Sequence, residues 1–519
     1  MPRPLNILLI TADQWRGDCL SAAGHPHVRT PQLDALAARG VRFARHYANA
    51  APCAPARASL YTGLYQMNHR VCVNGTPLDA RHDNIARAAR RAGYEPVLFG
   101  HTDVAVDPRT CEPGDPRLGS YEGVLPGFDA RLPLAEDEQQ WRVQVRERGV
   151  RLPEEHPHRG ADGVDDPPRG RPPVYDAAHA PTAFVVDELL RWKREHRPRE
   201  RARGWFAHLS LLRPHPPFVA PPPFDRQVSA DAVDAADLAG GGRWQPAAAL
   251  HPYVDLVGRG QRKGTFVAGA EGAVRDWSLA DLRQLRATYF GVIGEVDAQL
   301  GRVFGELERD ARHEDTIVVF TSDHGEMLGD HGLFGKFGFF DGSYHVPLIV
   351  YDPRRRPSGG RVVEGFTEAV DIVPTLLDAL ELPHPPQLDG VSLGPWLAGE
   401  TPPWRTAVHW EHDFRDIPGG TTERALGLDS CRCNLAVRRT AETKYVHFAG
   451  LPPLLFDLVA DPWETRDVAT EPAWLERRLE QAEALLAWRA EHLDQTLALG
   501  RLTSRGWRTT TRRGTPVRG

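Results

Sequence analysis

Short apolar runs rich in β-branched residues alternate with stretches of helical periodicity along most of the chain. Residues 6–11, Asn-Ile-Leu-Leu-Ile-Thr, read as a buried strand that ends in polar Asp13-Gln14. Thr30-Pro31 opens a helix: Thr30 is the expected N-cap, Pro31 takes the first helical position, and Leu33, Leu36 and Ala37 share a face before Gly40 stops it. A second helix is expected over 85–91, closed by Gly93, and a second strand over 96–99. Residues 205–212 predict a strand running into Arg213-Pro214-His215-Pro216-Pro217. The longest helix is expected over about 282–309, where Tyr289, Val292, Ile293, Val296, Leu300, Val303, Phe304 and Leu307 recur at helical spacing. It feeds a strand over 316–321 that ends in Ser322-Asp323-His324-Gly325, and 347–351 is a further strand.

Strands alternating with helices imply an α/β fold, a large mostly parallel sheet sandwiched by helices. Ligands in such folds sit outside the carboxyl ends of the strands. Two strands end in an acid followed by a polar residue, Asp13-Gln14 and Asp323-His324, which marks that edge as the place to look. Residues 104–175 and 219–280, the latter containing Gly240-Gly241-Gly242, are rich in loop-forming residues and read as long surface insertions that line or cover a site. The pattern changes near 395. Short strands over 407–410 and 445–448 precede a helix over about 473–492, as in a smaller C-terminal α+β domain. The expected division is 1–395 for the α/β domain, 396–501 for the small domain and 502–519 for a tail or an oligomerisation arm.

The 519 residues have ordinary globular composition, 41% apolar and 25% charged, with a net charge of −6. That balance favours neither nucleic acid nor a membrane surface as partner. Six cysteines, Cys19, Cys53, Cys72, Cys111, Cys431 and Cys433, make neither a disulfide framework nor zinc-type spacing. The first residues make a poor signal peptide, so the cytoplasm is the expected location. Lysine occurs only at 193, 263, 336 and 444, the other basic residues being arginine, so a retained lysine draws notice.

The sharpest local motif is Cys53-Ala54-Pro55-Ala56-Arg57, preceded by Ala48-Asn49-Ala50-Ala51-Pro52 and followed by Ser59-Leu60-Tyr61-Thr62-Gly63. It resembles the motif of the sulfatase family of the alkaline phosphatase superfamily, in which the cysteine is oxidised to formylglycine and a hydroxyl of the hydrated aldehyde attacks sulfur or phosphorus. A hydrated aldehyde suits this role, because it can expel the transferred group by breaking its own C–O bond, whereas a serine or cysteine ester needs a second attack at the heteroatom. The resemblance continues through Gly93-Tyr94, Asp371-Ile372-Val373-Pro374-Thr375-Leu376-Leu377, Asp389-Gly390, Phe456-Asp457-Leu458 and Asp461-Pro462-Trp463-Glu464, and so covers nearly the whole chain. It implies an alkaline phosphatase-like fold.

Typical sulfatases carry Asp-Asp after the first strand, Asp-Asn at the second metal strand and Gly-Lys-x-His after the Gly-Tyr strand. This chain has Asp13-Gln14, Asp323-His324 and Gly100-His101-Thr102-Asp103 instead. Losing that lysine weakens stabilisation of sulfate oxygens. The pattern is more similar to the phosphonate monoester hydrolase/phosphodiesterase branch at Asp13-Gln14, Met67-Asn68-His69-Arg70, Asn74, Arg213-Pro214-His215-Pro216-Pro217-Phe218, Asp323-His324-Gly325-Glu326 and Lys336. The resemblance implies that Asp13, Asp323, His324 and modified Cys53 hold one divalent metal ion. Arg57 would orient the hydrated aldehyde, Gln14 and Asn74 would contact phosphoryl oxygens, and His215 and Lys336 would serve the leaving group. That branch has tyrosine and threonine where this chain has His101 and Asp103. The histidine can still donate to a phosphoryl oxygen; Asp103 would repel an anion unless paired, and could instead meet a cationic substrate group.

These readings converge on a metal-dependent hydrolase of phosphonate monoesters and phosphodiesters with promiscuous sulfatase activity. Two alternatives remain, a true sulfatase acting on an organic sulfate and a non-catalytic relative that binds an anion or metal. The histidine ligand tilts the expected metal towards Mn2+ or Zn2+, with Ca2+ or Mg2+ open. Implied partners are a small phosphoester, phosphonate or sulfate ester, a formylglycine-generating enzyme during maturation, and further copies of the chain in a homo-oligomer, tetramer or dimer.

Overall fold

A computed structural model of the chain describes residues 5–159, 172–196, 204–233, 250–310 and 312–509. Parts of both expected insertions, including Gly240-Gly241-Gly242, and the end of the tail lie outside these residues. The strands are β1 (Asn6–Ala12), β2 (Val41–Tyr47), β3 (Ala50–Ala51), β4 (Val97–Gly100), β5 (Asp129–Pro133), β6 (Phe206–Leu211), β7 (Thr316–Thr321), β8 (Leu348–Tyr351), β9 (Arg361–Glu368), β10 (Ala407–Asp413), β11 (Asn434–Thr440), β12 (Thr443–Phe448), β13 (Leu454–Asp457), β14 (Gly500–Thr503) and β15 (Gly506–Thr509). Eight of them form one sheet in the order β5-β4-β6-β1-β7-β8-β2-β9. All pairings are parallel except those of β8, which runs against both β7 and β2.

Alternate residues of the central strands feed two separate cores. Leu8, Ile10, Leu209, Leu211, Val318 and Phe320 face helices α1 (Pro31–Arg39), α3 (Pro181–His196) and α4 (Leu279–Arg309). Ile7, Leu9, Phe206, Ile317 and Val319 face α2 (Cys53–Thr62) and α5 (Ile372–Ala379) on the other side. A sheet covered on both faces explains why β1 and β7 read as continuous apolar runs rather than alternating ones.

Thr30 stands at the N-cap position of α1, and its carbonyl accepts from Asp34 N–H at 2.9 Å, but its side chain does not cap the helix. Its hydroxyl is engaged with Ser21, and the first amides of the helix, those of Gln32 and Leu33, donate instead to Asp297 of α4 at 3.1 and 2.9 Å. A carboxylate held by a neighbouring helix satisfies those amides and complements the helix dipole better than a hydroxyl. The capping box that begins α4, Ser278 with Asp281, fixes its start a turn earlier than the apolar spacing indicated.

Residues 104–175 contribute more than surface. They supply the edge strand β5 and the helix Gln139–Glu147, whose Trp141 is fully buried. Residues 219–280 likewise send Phe266, Val274 and Trp277 into the core beside α4. The second sheet, in the order β13-β12-β11-β10-β3, carries α6 (Leu475–Glu491). It takes β3 from the segment just before Cys53: Ala50 and Ala51 pair in parallel with Glu411 and His412 of β10. The C-terminal sheet thereby fixes the approach to position 53. The expected tail begins within a two-stranded hairpin, β14–β15.

Candidate active site

Cys53 is the first residue of α2 and is only 1% exposed. Asp13 follows β1 and Asp323 follows β7, adjacent parallel strands, so both acids emerge at the same edge of the sheet. The structure brings Asp13, Cys53, Asp323 and His324 together, with one donor atom from each lying within 4.8 Å of the others. His324 places Nε2 3.3 Å from the Cys53 sulfur while its Nδ1 lies 3.1 Å from the Gly325 carbonyl. Donation from Nδ1 leaves Nε2 as a lone-pair donor facing the cluster. Burial, reinforced by Lys336, holds the imidazole pKa below its ordinary value, so it stays neutral there.

This set fits a divalent cation. Asp13 Oδ1 is buried without a hydrogen-bond donor, a costly state that a cation would relieve. Two carboxylates, one neutral imidazole and the side chain at 53 offer the hard oxygens and single nitrogen such an ion takes.

Arg57 lies one turn along α2 from Cys53 and is fully buried. Nε donates to Asp323 Oδ2 and Nη2 to Asp13 Oδ2, both at 2.9 Å. Nη1 donates to Ser210 Oγ, to the Tyr61 hydroxyl and to the His101 carbonyl. Asp103 closes the set, 3.4 Å from Arg57 Nε. One guanidinium therefore ties three buried carboxylates from three strand ends to the nucleophile's helix. Burial works against its charge, but Asp323, Asp103 and Asp13 outweigh that and hold its pKa above the ordinary value. Asp13 is the reciprocal case: burial would raise its pKa, while a hydrogen bond from His101 and the Arg57 charge depress it.

Lys336 sits on the other side of Cys53. Its ammonium is 3.1 Å from the sulfur, 2.9 Å from Gln14 Oε1 and 2.9 Å from His215 Nε2. Burial pushes the Cys53 thiol well up, and Asp13 adds to this, so the sulfur is a neutral thiol in the encoded protein. Burial disfavours the lysine charge too, yet the surrounding negative groups hold its pKa above the ordinary value. With the thiol protonated, Asp13 and Asp323 are the lasting source of that effect. His215 has Nδ1 2.9 Å from the Pro216 carbonyl, and burial beside Lys336 drives its pKa well down. The neutral ring thus donates at Nδ1 and accepts from lysine at Nε2.

The remaining expected residues fall on the same site with different tasks. The amide of Gln14 donates to Glu326 while its carbonyl accepts from Lys336, so both ends are engaged. Its backbone is in the left-handed region, φ 66°, and its N–H donates to Asp323. Asn74 Oδ1 accepts from the Ala54 amide at 3.0 Å and caps the nucleophile's helix, which leaves only its NH2 for a substrate oxygen. His101 Nε2 lies 3.3 Å from Asp13 Oδ2 and 3.6 Å from Asp103 Oδ2. Asp103 is paired through Arg57, which removes the repulsion expected of a bare carboxylate, although its Oδ1 has no donor. Gly100 permits this packing: a Cβ there would stand 1.8 Å from the Ser210 carbonyl.

Sequence reasoning gave Glu326 no task, although it stands in the matched Asp323-His324-Gly325-Glu326 run. Its carboxylate accepts from Gly335 N–H at 2.7 Å, from Leu328 N–H at 2.9 Å and from Gln14, so it fixes the loop next to Lys336. Only its spacing from the metal-strand acid could have signalled this.

The chain matches the family model described as Sulfatase over residues 5–382 and that described as N-sulphoglucosamine sulphohydrolase, C-terminal, over 329–491. It is 38% identical to a multifunctional alkaline phosphatase superfamily protein of Trinickia caryophylli, covering 96% of this chain and 98% of the relative. It is 28% identical to an arylsulfatase of Clostridium perfringens, covering 91% of this chain and 92% of the relative. Among solved structures, the phosphonate monoester hydrolase of Agrobacterium radiobacter superimposes with a TM-score of 0.93 at 51% identity, over 97% of this chain and 99% of that one. The phosphonate monoester hydrolase of Silicibacter pomeroyi gives 0.90 at 37% identity, over 98% and 99%.

Proposed function

The chain belongs to the sulfatase family of ester hydrolases within the alkaline phosphatase superfamily, and from that premise we propose that it hydrolyses phosphonate monoesters and phosphodiesters through formylglycine made from Cys53. The observation that carries this reading is the placement of the Cys53 sulfur between His324 on one side and Lys336 on the other, at the mouth of the Asp13–Asp323 pair. The sulfur stands in for the oxygens of the hydrated aldehyde. That group supplies one hydroxyl to attack phosphorus and a second whose deprotonation releases the product.

Asp13, Asp323, His324 and residue 53 would hold one divalent cation. When bound it would lower the pKa of the attacking hydroxyl and offset charge on the substrate oxygens. The imidazole favours Mn2+ or Zn2+ over Ca2+ or Mg2+. Arg57 keeps the two aspartates charged and aligned with α2, which presets the attack geometry before substrate arrives. Asn74, through the Ala54 amide, fixes the helix end from which residue 53 projects, and its free NH2 serves a phosphoryl oxygen. Lys336 Nζ holds the proton for the departing oxygen. His215 Nε2 accepts from that ammonium and so holds it on the leaving-group side, where Lys336 is the proton donor. Gln14 orients the ammonium, and His101 donates to the anion or to Asp13.

The absence of the sulfatase lysine near position 101 places phosphonates and diesters above sulfates, while the shared nucleophile keeps sulfate turnover as a side activity. Maturation requires a formylglycine-generating enzyme that reads Cys53 to Arg57. A cytoplasmic location and a homo-oligomeric assembly are part of the proposal. Separately, no helix among the described residues is long and apolar enough to cross a membrane. Steady-state kinetics on 4-nitrophenyl phenylphosphonate, bis(4-nitrophenyl) phosphate and 4-nitrophenyl sulfate test the reading. Higher kcat/KM on the first two is expected, and a clear preference for the sulfate overturns it.

A further inference from the structure

Behind His215 lies a buried polar network that the site as described does not use. Arg213, 4% exposed, donates from Nη1 to the His215 carbonyl at 2.8 Å. Its Nη2 lies 3.4 Å from Glu138 Oε1 and 3.0 Å from His158 Nε2. Glu138, 2% exposed, places its other oxygen 2.5 Å from that same His158 nitrogen. His158 is stacked on Trp141 with ring planes 9° apart, and its Nδ1 meets the Tyr175 hydroxyl at 2.6 Å. The segment bearing Glu138 is anchored to the sheet, since Leu134 N–H donates to the Gly100 carbonyl at 3.0 Å.

A fully buried ion pair costs desolvation energy, so on stability grounds alone an apolar filling would serve as well. What this pair does is geometric. The His215 ring is fixed at one end by Nδ1 to the Pro216 carbonyl, and its backbone carbonyl is fixed by Arg213. Glu138 sets where the guanidinium fork can point. Its carboxylate pKa is held below the ordinary value by His158 and Arg213 despite burial, so it faces the guanidinium as an anion. The chain from Glu138 through Arg213 to His215 ends at Nε2, the atom facing Lys336.

We infer that Glu138, acting through Arg213, is a positioning residue for His215 and thereby for proton delivery to the leaving group. The inference rests on the leaving-group role given to His215 above. It also assigns a task to residues 134–159, whose contribution is rigidity behind the proton path rather than contact with substrate.

The test is a series of aryl phenylphosphonates with leaving phenols of increasing pKa, measured for the wild type and for His215→Asn, Glu138→Gln, Arg213→Lys and Trp141→Phe. A proton-delivery defect hurts poor leaving groups most, so the plot of log kcat/KM against phenol pKa steepens. For Glu138→Gln and Arg213→Lys the expected loss is about 30-fold on phenol itself and less than about threefold on dinitrophenol. Trp141→Phe, a packing change in the same segment, shifts all substrates alike. If His215→Asn steepens the plot but Glu138→Gln and Arg213→Lys only displace it in parallel, the inference is overturned and the function stands. If His215→Asn itself leaves the slope unchanged, the leaving-group role fails and the inference fails with it.

Discussion

Lys336 sets its ammonium 3.1 Å from the sulfur of Cys53 although the two residues are 283 positions apart. The same nitrogen reaches Gln14 and His215, so its three donors are all committed around the attacking group. Lys336→Ala is expected to lower kcat by about 100- to 10,000-fold on aryl phosphonates, most on poor leaving groups. Lys336→Arg does not restore it, because a planar guanidinium cannot present three donors from one point. A leaving-group series in kcat checks both.

Arg57 is the only cation bonded to both Asp13 and Asp323 among the described residues. Arg57→Met strands three buried carboxylates without their counter-charge. The expected cost is about 3–5 kcal/mol of folding stability, alongside loss of activity. Urea unfolding gives the first quantity, and kinetics on the surviving folded fraction the second.

Asp103 lies 3.4 Å from Arg57 Nε and 3.6 Å from His101 Nε2. Asp103→Thr removes one negative charge close to Arg57 and Asp13. Because Arg57 already pairs that charge, the expected result is altered ratios among diester, phosphonate and sulfate rather than a general rise in kcat/KM on anions. Unchanged ratios in a side-by-side assay would remove Asp103 from substrate selection.

Two histidines outside the site make stability depend on pH. Burial lowers the pKa of His69 to about 3, and the Val71 amide already donates to its Nδ1, so only the neutral ring fits. Burial likewise lowers His46 to about 3. Both folded-state values lie below the unfolded value of about 6.5, so the unfolded chain binds the protons first. Their contribution is complete above about pH 6.5 and is lost as the pH falls towards 3. Each should cost about 2 kcal/mol between pH 7 and 5. Urea midpoints at those two pH values, for the wild type and His69→Gln, test this; the variant should show the shallower slope.

The strands that carry Asp13 and Asp323 were legible because both of their faces are buried, which produces continuous apolar runs. Strand β2, Val-Arg-Phe-Ala-Arg-His-Tyr, was not, because its alternation breaks at Ala44, where the pairing with β9 shifts register, and because buried His46 reads as a surface residue. Neither was β5, a short edge strand inside a segment whose composition reads as loop. Cys53, Arg57, Asp13, Asp323, His324, His215 and Lys336 could be named from spacing and family resemblance, and the structure brings them together. The use of Asn74 as a helix cap, and the hold of Glu326 on the Lys336 loop, depend on long-range packing that spacing does not encode. The same holds for Asp297 capping α1 from 264 residues away.

The nucleophile itself can be weighed. Protein co-produced with a formylglycine-generating enzyme and shown to be fully active is digested, and the peptide containing residue 53 is measured by mass spectrometry. A peptide about 18 Da lighter than the cysteine form is expected, from conversion of thiol to aldehyde. An intact thiol at position 53 in a fully active preparation would contradict the formylglycine nucleophile.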